Sequence, residues 1–222
     1  MPIVIDQLIR SRRKTIALVV QPDGRLIVRA PLRMAEVRIR AFAETHADWI
    51  ARNQAKARIS APPPPHRYEA GETFFYLGQS YPLTIIPHQR QALTFDGHFF
   101  HLSKSAQPRA EQAFLRWYKR EALEVITKLV EAAAKQHGFS YQKIRISSAR
   151  TRWGSCSSRG TLSFTYRLVM APLETVDYVV IHELVHTQVR NHSKTFWGRV
   201  ADLMPDYKRR LAWLKKNGGK LV

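Results

Sequence analysis

The chain carries the string His182-Glu183-Leu184-Val185-His186, followed six residues later by His192. On an α-helix each residue advances about 100°, so the two histidines lie within roughly 40° of each other and Glu183 stays on the same side. Imidazoles one turn apart can both reach one small cation, and neutral imidazole is a standard nitrogen donor to zinc. A catalytic zinc takes three protein donors and keeps one position open. His192 is the natural third donor. Val189-Arg190-Asn191 lets the chain leave the helix and fold back, and Asn191 tolerates the left-handed conformation that helix exits use. Glu183, too far round to be a good ligand, is placed to take a proton from a water that zinc acidifies to a pKa of about 7. At this chain's His and Glu content, H-E-x-x-H arises by accident in roughly two of a hundred such sequences, and a further histidine at one fixed offset is rarer still. The pattern therefore points to a zinc hydrolase, against a structural zinc site or a degenerate one.

Several elements must position these side chains. Val176, Val179, Val180, Leu184 and Val185 give the metal helix an apolar side to bury, and Ala171-Pro172 opens it. Ser193 can cap a helix over Lys194 to Leu203. Pro205-Asp206 starts a last helix that ends near Gly218-Gly219, its outer side made basic by Lys208, Arg209, Arg210, Lys215 and Lys216. Upstream, Lys143 to Ser148, a turn-rich loop from Thr151 to Gly160, and Thr161 to Leu168 read as strand, loop, strand. The strand just before the metal helix is well placed to pair its edge with an extended substrate. From Pro108 to His137 the apolar residues Phe114, Leu115, Tyr118, Leu123, Val125, Ile126, Leu129 and Val130 recur at helical spacing. Gly138 stops that helix, and its expected task is to lie behind the metal helix.

Nearer the start, Thr15 to Val20 and Arg25 to Ala30 form a hairpin around Gln21-Pro22-Asp23-Gly24. A third short strand is expected at Glu36 to Arg40 and a helix over Ala43 to Ile59. The proline run near 61–65 then acts as a spacer. Thr73 to Ile86 and Ala92 to Leu102 read as two strand pairs turning at Leu77-Gly78-Gln79-Ser80 and Asp96-Gly97. Phe74, Phe75, Tyr76, Tyr81, Phe99 and Phe100 read as packing, because no basic residues interleave them to make a platform for bases. The whole is an α+β chain: a β-rich N-terminal region over 1–107 and a catalytic region over 108–222.

A chain of 222 residues can bury a sizeable core. No apolar run approaches a membrane span, and the first residues lack the order of a secretory signal, so the expected location is the cytoplasm. The single Cys156 excludes an internal disulfide framework, and with no designated base beside it in sequence it reads as a packed thiol. The 36 Lys and Arg against 17 Asp and Glu leave a net charge of +19. Such a field attracts polyanions. Non-specific nucleic-acid binding through this basic surface stands beside a simpler reading, a well-solvated surface with no partner, because no nucleic-acid motif accompanies the charge.

Arg152-Trp153-Gly154-Ser155-Cys156, Arg167-Leu168, Ala171-Pro172, Asp177-Tyr178-Val179-Val180, the H-E-x-x-H string, Asn191-His192-Ser193-Lys194-x-Phe196-Trp197 and Met204-Pro205-Asp206-Tyr207 together resemble the YgjP-like family of bacterial zinc metallopeptidases, relatives of the WLM and SprT-like proteases. Tyr76-Leu77-Gly78 fits as well. The resemblance implies a zincin-like core of small sheet, backing helix and metal helix, one zinc per chain on His182, His186 and His192, and Glu183 as general base. Val189 stands where metzincins keep a turn glycine, which argues against a metzincin proper.

Three reactions are compatible with these residues. A metalloendopeptidase needs a group to stabilise the oxyanion, for which Tyr166, Arg167 and Tyr207 are candidates. The resemblance also implies a rival, pyrophosphohydrolysis of a UTP-type nucleotide, and Arg150, Arg152, Arg159 and Arg167 could pair with its phosphates. The third reading is a DNA-associated protease or nucleic-acid-binding protein. Arg152, Tyr166, Arg167 and Tyr207 are thus the expected substrate-side residues.

Overall fold

A computed structural model describes residues 3–21, 23–59 and 65–221 of the chain. They divide into two compact units, one up to residue 64 and one from Pro65 to Leu221. Residues 61–64 of the proline run, and Pro22 of the first expected turn, lie outside the described residues.

The first unit is a three-stranded sheet with two helices. Strands β2 (Ala17–Val20) and β3 (Leu26–Pro31) are the expected antiparallel hairpin. Strand β1 (Gln7–Ser11), which sequence periodicity does not reveal, pairs parallel with β3. Arg10 ties that edge down by donating to the carbonyl oxygens of Pro31, Leu32 and Met34. The strand expected at Glu36 to Arg40 is instead the start of helix α1 (Glu36–Thr45). The alternation in Glu36-Val37-Arg38-Ile39-Arg40 imitates a strand, but Ile39 and Ala43, one turn apart, are the residues that bury. Glu36 and Arg40 form a 2.8 Å ion pair at the same helical spacing. Helix α2 (Ala47–Ile59) follows after a break at His46 (φ −111°, ψ 20°), so the single helix expected from Ala43 is two. Leu26, Val28, Ala30, Ile39, Ala43 and Ile50 form the core of this unit.

The second unit begins with a four-stranded sheet in the order β4-β5-β7-β6, built from β4 (Thr73–Tyr76), β5 (Gln79–Ile86), β6 (Leu93–Phe95) and β7 (Phe100–Ser103). The expected strand pairs are present. Helix α3 (Ala110–His137) lies against this sheet, with Phe74, Phe100, Phe114 and Trp117 in one aromatic cluster. The boundary expected between 107 and 108 therefore runs through a single continuous core. Helix α3 ends, as expected, with Gly138 in the left-handed conformation (φ 68°). Its buried face is richer in small residues than the apolar spacing suggests. Ala113, Ala122 and Ala133 are buried, whereas Leu123 is 48% exposed.

A second sheet, β8 (Lys143–Ser147), β9 (Gly154–Cys156) and β10 (Thr161–Thr165), has the order β8-β10-β9. Two expectations change here. The turn-rich loop contains a strand, β9, whose Gly-Ser-Cys sequence carries no strand signal and which forms only because β10 lies beside it. That places β10 in the centre, so the edge next to the metal helix belongs to β9. Helices α4 (Leu173–Val185), α5 (Lys194–Leu203) and α6 (Tyr207–Asn217) complete the unit. The basic side of α6 is partly engaged: Arg209 bridges Glu174 and Asp206, and Arg210 turns inward to Asp177 and the Glu174 carbonyl, pinning α6 to α4. Among the described residues no helix is long and apolar enough to cross a membrane.

The start of α4 is anchored from the four-stranded sheet of the same unit. The β4–β5 turn has Leu77 at φ 47° and Gly78 at φ 83°. Its backbone amides donate to the carbonyls of Val169 and Met170 at 2.7 and 3.3 Å. An added Cβ on Gly78 would sit 2.8 Å from the Cα of Pro172, the residue before α4. Gly78→Ala is expected to destabilise the chain by roughly 1–3 kcal/mol, from the positive φ and the clash together. A denaturant titration measures it, and an unchanged midpoint would refute the anchoring role.

Candidate metal centre

Helix α4 has an unbroken apolar inner side: Val176, Val180, Leu184 and Val185 are fully buried. That burial fixes the rotation of the helix and turns His182 and His186 toward the Lys194–Leu203 helix. His186 closes α4, and Val189 N–H bonds back to the Val185 carbonyl at 2.9 Å, so the chain leaves in a tight turn without the glycine found in metzincins. The turn delivers His192 to the other two. The His192 Nε2 lies 3.0 Å from His182 Nε2 and 3.2 Å from His186 Nε2. Three donors on a tetrahedral ion at about 2.05 Å would be separated by about 3.3 Å, so these two separations, with all three donors within 4.8 Å of one another, suit a single metal ion. Of the described residues, this is the one cluster of at least three potential ligands whose donor atoms converge in this way.

Neighbouring groups set the histidines' state. His186 Nδ1 donates to the Val189 carbonyl at 3.0 Å, which leaves the Nε2 lone pair facing the cluster. Burial pushes the His182 pKa down to about 3, helped by the other two imidazoles, and burial also lowers that of His186. Both rings are therefore held neutral, the form that binds metal. Phe196 packs against all three imidazoles at 4.4–4.8 Å between centroids. It is fixed by α5, whose N-cap Ser193 accepts from the Phe196 amide as expected from sequence.

Glu183 is 5% exposed, and its Oε2 is buried with no hydrogen-bond partner among the described residues. Burial raises its pKa to about 7, with Arg152 opposing the shift. Below the carboxyl lies Gly154 of β9: a Cβ there would come within 2.6 Å of Glu183 Cγ and Oε1. The Arg-Trp-Gly-Ser-Cys string thus exists to bring backbone against this side chain. Arg190, a residue of the spacer to His192, donates to the Ser157 and Ser158 carbonyls at 2.7 and 2.9 Å. It clasps the end of β9 to the third-histidine turn. No sequence signal marks that role.

The remaining expected residues separate. Tyr207 lies one ring away from the centre, stacked on Trp197 at 5.5 Å, which stacks in turn on His192 at 5.6 Å. Arg152 is exposed and acts on Glu183 through its charge. Tyr166 packs toward Tyr118 on α3, and Arg167, 6% exposed, donates to the Ser148 and Ala149 carbonyls, so neither is brought to the histidines. Arg150 and Arg159 are exposed. The Cys156 thiol is pushed up by burial and is not activated.

These shifts give a pH dependence for chelator-treated protein. Folded Glu183 holds a proton that the unfolded chain releases between about 4.5 and 7, so its contribution to stability is lost as pH rises through that window. His182 does the reverse: the unfolded chain gains a proton below 6.5 that the folded chain refuses until about 3, so stability is lost as pH falls. In chelator, Glu183→Gln should therefore melt above wild type at pH 8, with the gap narrowing toward pH 5. A gap that widens toward pH 5 would contradict the burial argument.

A search of curated proteins gave no match. Among solved structures the chain is similar to the metallopeptidase zymogen abylysin of Pyrococcus abyssi, with 24% identity over 44% of this chain and 99% of that one and a TM-score of 0.39. The model of the YgjP-like metallopeptidase domain matches residues 14–217. The chain belongs to the YgjP-like metallopeptidase family.

Proposed function

We propose that the protein is a zinc-dependent endopeptidase, with His182, His186 and His192 holding one zinc ion and Glu183 acting as general base. The observation that carries the reading is the convergence of three imidazole nitrogens next to a buried carboxyl with no hydrogen-bond partner for its Oε2 among the described residues. Zinc, when bound, supplies Lewis acidity toward water and the scissile carbonyl. Glu183 takes the proton of the attacking water and passes it to the leaving amine. Gly154 keeps that carboxyl in one place, and the dry surroundings strengthen its interactions. The free edge of β9 offers backbone donors and acceptors to an extended peptide, which would run past Glu183. Tyr207, one stacked ring beyond Trp197 on the His192 side, is the candidate donor to the oxyanion.

The test is metal analysis and cleavage of casein or a quenched fluorescent peptide, before and after chelation. About one zinc per chain and cleavage restored by zinc are expected. Chelation should also lower Tm by roughly 10 °C, since ligand at a thousand times Kd contributes about 4 kcal/mol and each kcal/mol moves Tm by ~2–4 °C at this size. Pyrophosphate release from UTP without peptide cleavage would replace this reading by the nucleotide one.

A further inference from the structure

The sheet β8-β10-β9 has two faces with different chemistry. Gly154, Leu162 and Phe164 point to the side of the metal helix, where Leu162 and Phe164 are fully buried. Successive side chains on a strand alternate, so the intervening residues point the other way. Arg145, Ser163 and Ser155 stand opposite one another in a single row across β8, β10 and β9. Together with Arg152, Ser147 and Thr161 they line a concavity of about 530 Å³. That volume lies within the ~300–1,000 Å³ typical of ligand sites.

The lining is selective in its chemistry. No Asp or Glu takes part in it. Among the described residues the ion pairs lie elsewhere, so Arg145 and Arg152 are without an acidic partner. Ser147 and Thr161 spend their hydroxyl protons on the Phe164 carbonyl and the Gln142 amide oxygen, whereas Ser155 and Ser163 keep theirs free at the centre of the row. Two guanidinium groups beside hydroxyls, neither of them in an ion pair among the described residues, suit an oxyanion. The position suits one carried by a substrate. A peptide paired with the free edge of β9 would lie about 4.8 Å from it, with every second side chain projecting on the Ser155 side. Arg152 joins the two places, for it lines the concavity and is also the charge that acts on Glu183.

We propose that this concavity is a specificity subsite for an acidic side chain of the peptide held along β9, so that the enzyme prefers substrates with Asp or Glu on the outward side of the extended chain. The inference rests on the endopeptidase reading above. Backbone pairing along β9 is indifferent to sequence, whereas Arg145 and Arg152 distinguish a carboxylate from its amide.

A set of quenched fluorescent decapeptides with Glu or Gln scanned through each position tests this. Wild type is expected to favour Glu by at least about tenfold in kcat/KM, at positions spaced two apart, with the preference shrinking in high salt. In Arg145→Gln/Arg152→Gln the Glu-to-Gln ratio should fall to near one; a thermal melt of the variant confirms folding, and Arg145→Lys/Arg152→Lys should recover part of the ratio. Anisotropy titrations of the same peptides, unquenched, on Glu183→Gln separate this proposal from the catalytic one. Preferential binding of Glu peptides with no cleavage by wild type would refute the peptidase reading and leave the subsite standing. Equal handling of Glu and Gln at every position overturns the subsite, and Arg145- and Arg152-dependent binding of inorganic phosphate beside that result would mark a small-anion site instead.

Discussion

Glu183→Gln is expected to lower kcat for peptide cleavage by roughly 10³-fold while leaving about one zinc per chain in place, the middle of the 10²–10⁴ range for a positioned general base. The substitution keeps the volume of the side chain and removes only its capacity to take a proton. Glu183 sits on α4 between His182 and His186 but is not part of the nitrogen triangle, so metal content should not follow it. The variant is also free of the cost of ionising a carboxyl that burial holds at about 7, and should be no less stable than wild type at neutral pH. Metal analysis, a thermal melt and single-turnover cleavage decide the matter. Activity within threefold of wild type at full zinc occupancy would remove Glu183 from the chemistry.

Gly154→Ala is expected to cost at least about a hundredfold in kcat, through a side chain that does no chemistry itself. The added Cβ would lie 2.6 Å from both Glu183 Cγ and Oε1. Strand β9 cannot retreat easily, because Ser155 and Cys156 are paired with β10 and Arg190 holds the carbonyls that follow. The carboxyl is therefore the group that moves, and misplacement by about 1 Å can cost 10²-fold. A stability loss of roughly 1–3 kcal/mol should accompany it, the usual penalty for overfilling a packed site. The diagnostic feature is a fall in kcat with zinc content unchanged. A variant that unfolds outright is distinguished by its melt, and Gly154→Ser, with a similar Cβ, should show the same loss. Full activity in a folded Gly154→Ala chain would show that Glu183 does not depend on this contact.

What could be read from the residues in order was the chemistry carried by local spacing. His182, Glu183 and His186 share one helix, so a 3.6-residue period alone sets their relation, and His192 follows within a few residues of the helix end. Caps and stops were legible for the same reason: Ser193 before α5, Asp206 before α6 and Gly138 after α3 act on their own turn of backbone. Hairpins with two-residue turns, such as Leu77-Gly78, were equally local.

The failures were those of distance along the chain. At Glu36 to Arg40 an alternating pattern suited strand and helix alike, and the burial of Ile39 and Ala43 against a sheet decided for helix. Strand β9 has three residues with no β-branched member and exists because β10 offers it a partner, so no window of sequence contains its cause. With β9 came a free sheet edge, the close approach of Gly154 to Glu183, and the separation of Arg145, Ser163 and Ser155 onto the far face. The clasp of Arg190 and the inward burial of Arg167, residues that look alike in sequence, were likewise set by which carbonyls the fold brought within reach. Spacing within one helix names the candidate reactive side chains, because covalent geometry holds them together. Only packing between distant segments decides what surrounds them, because those contacts have no covalent constraint and are chosen by the whole fold at once.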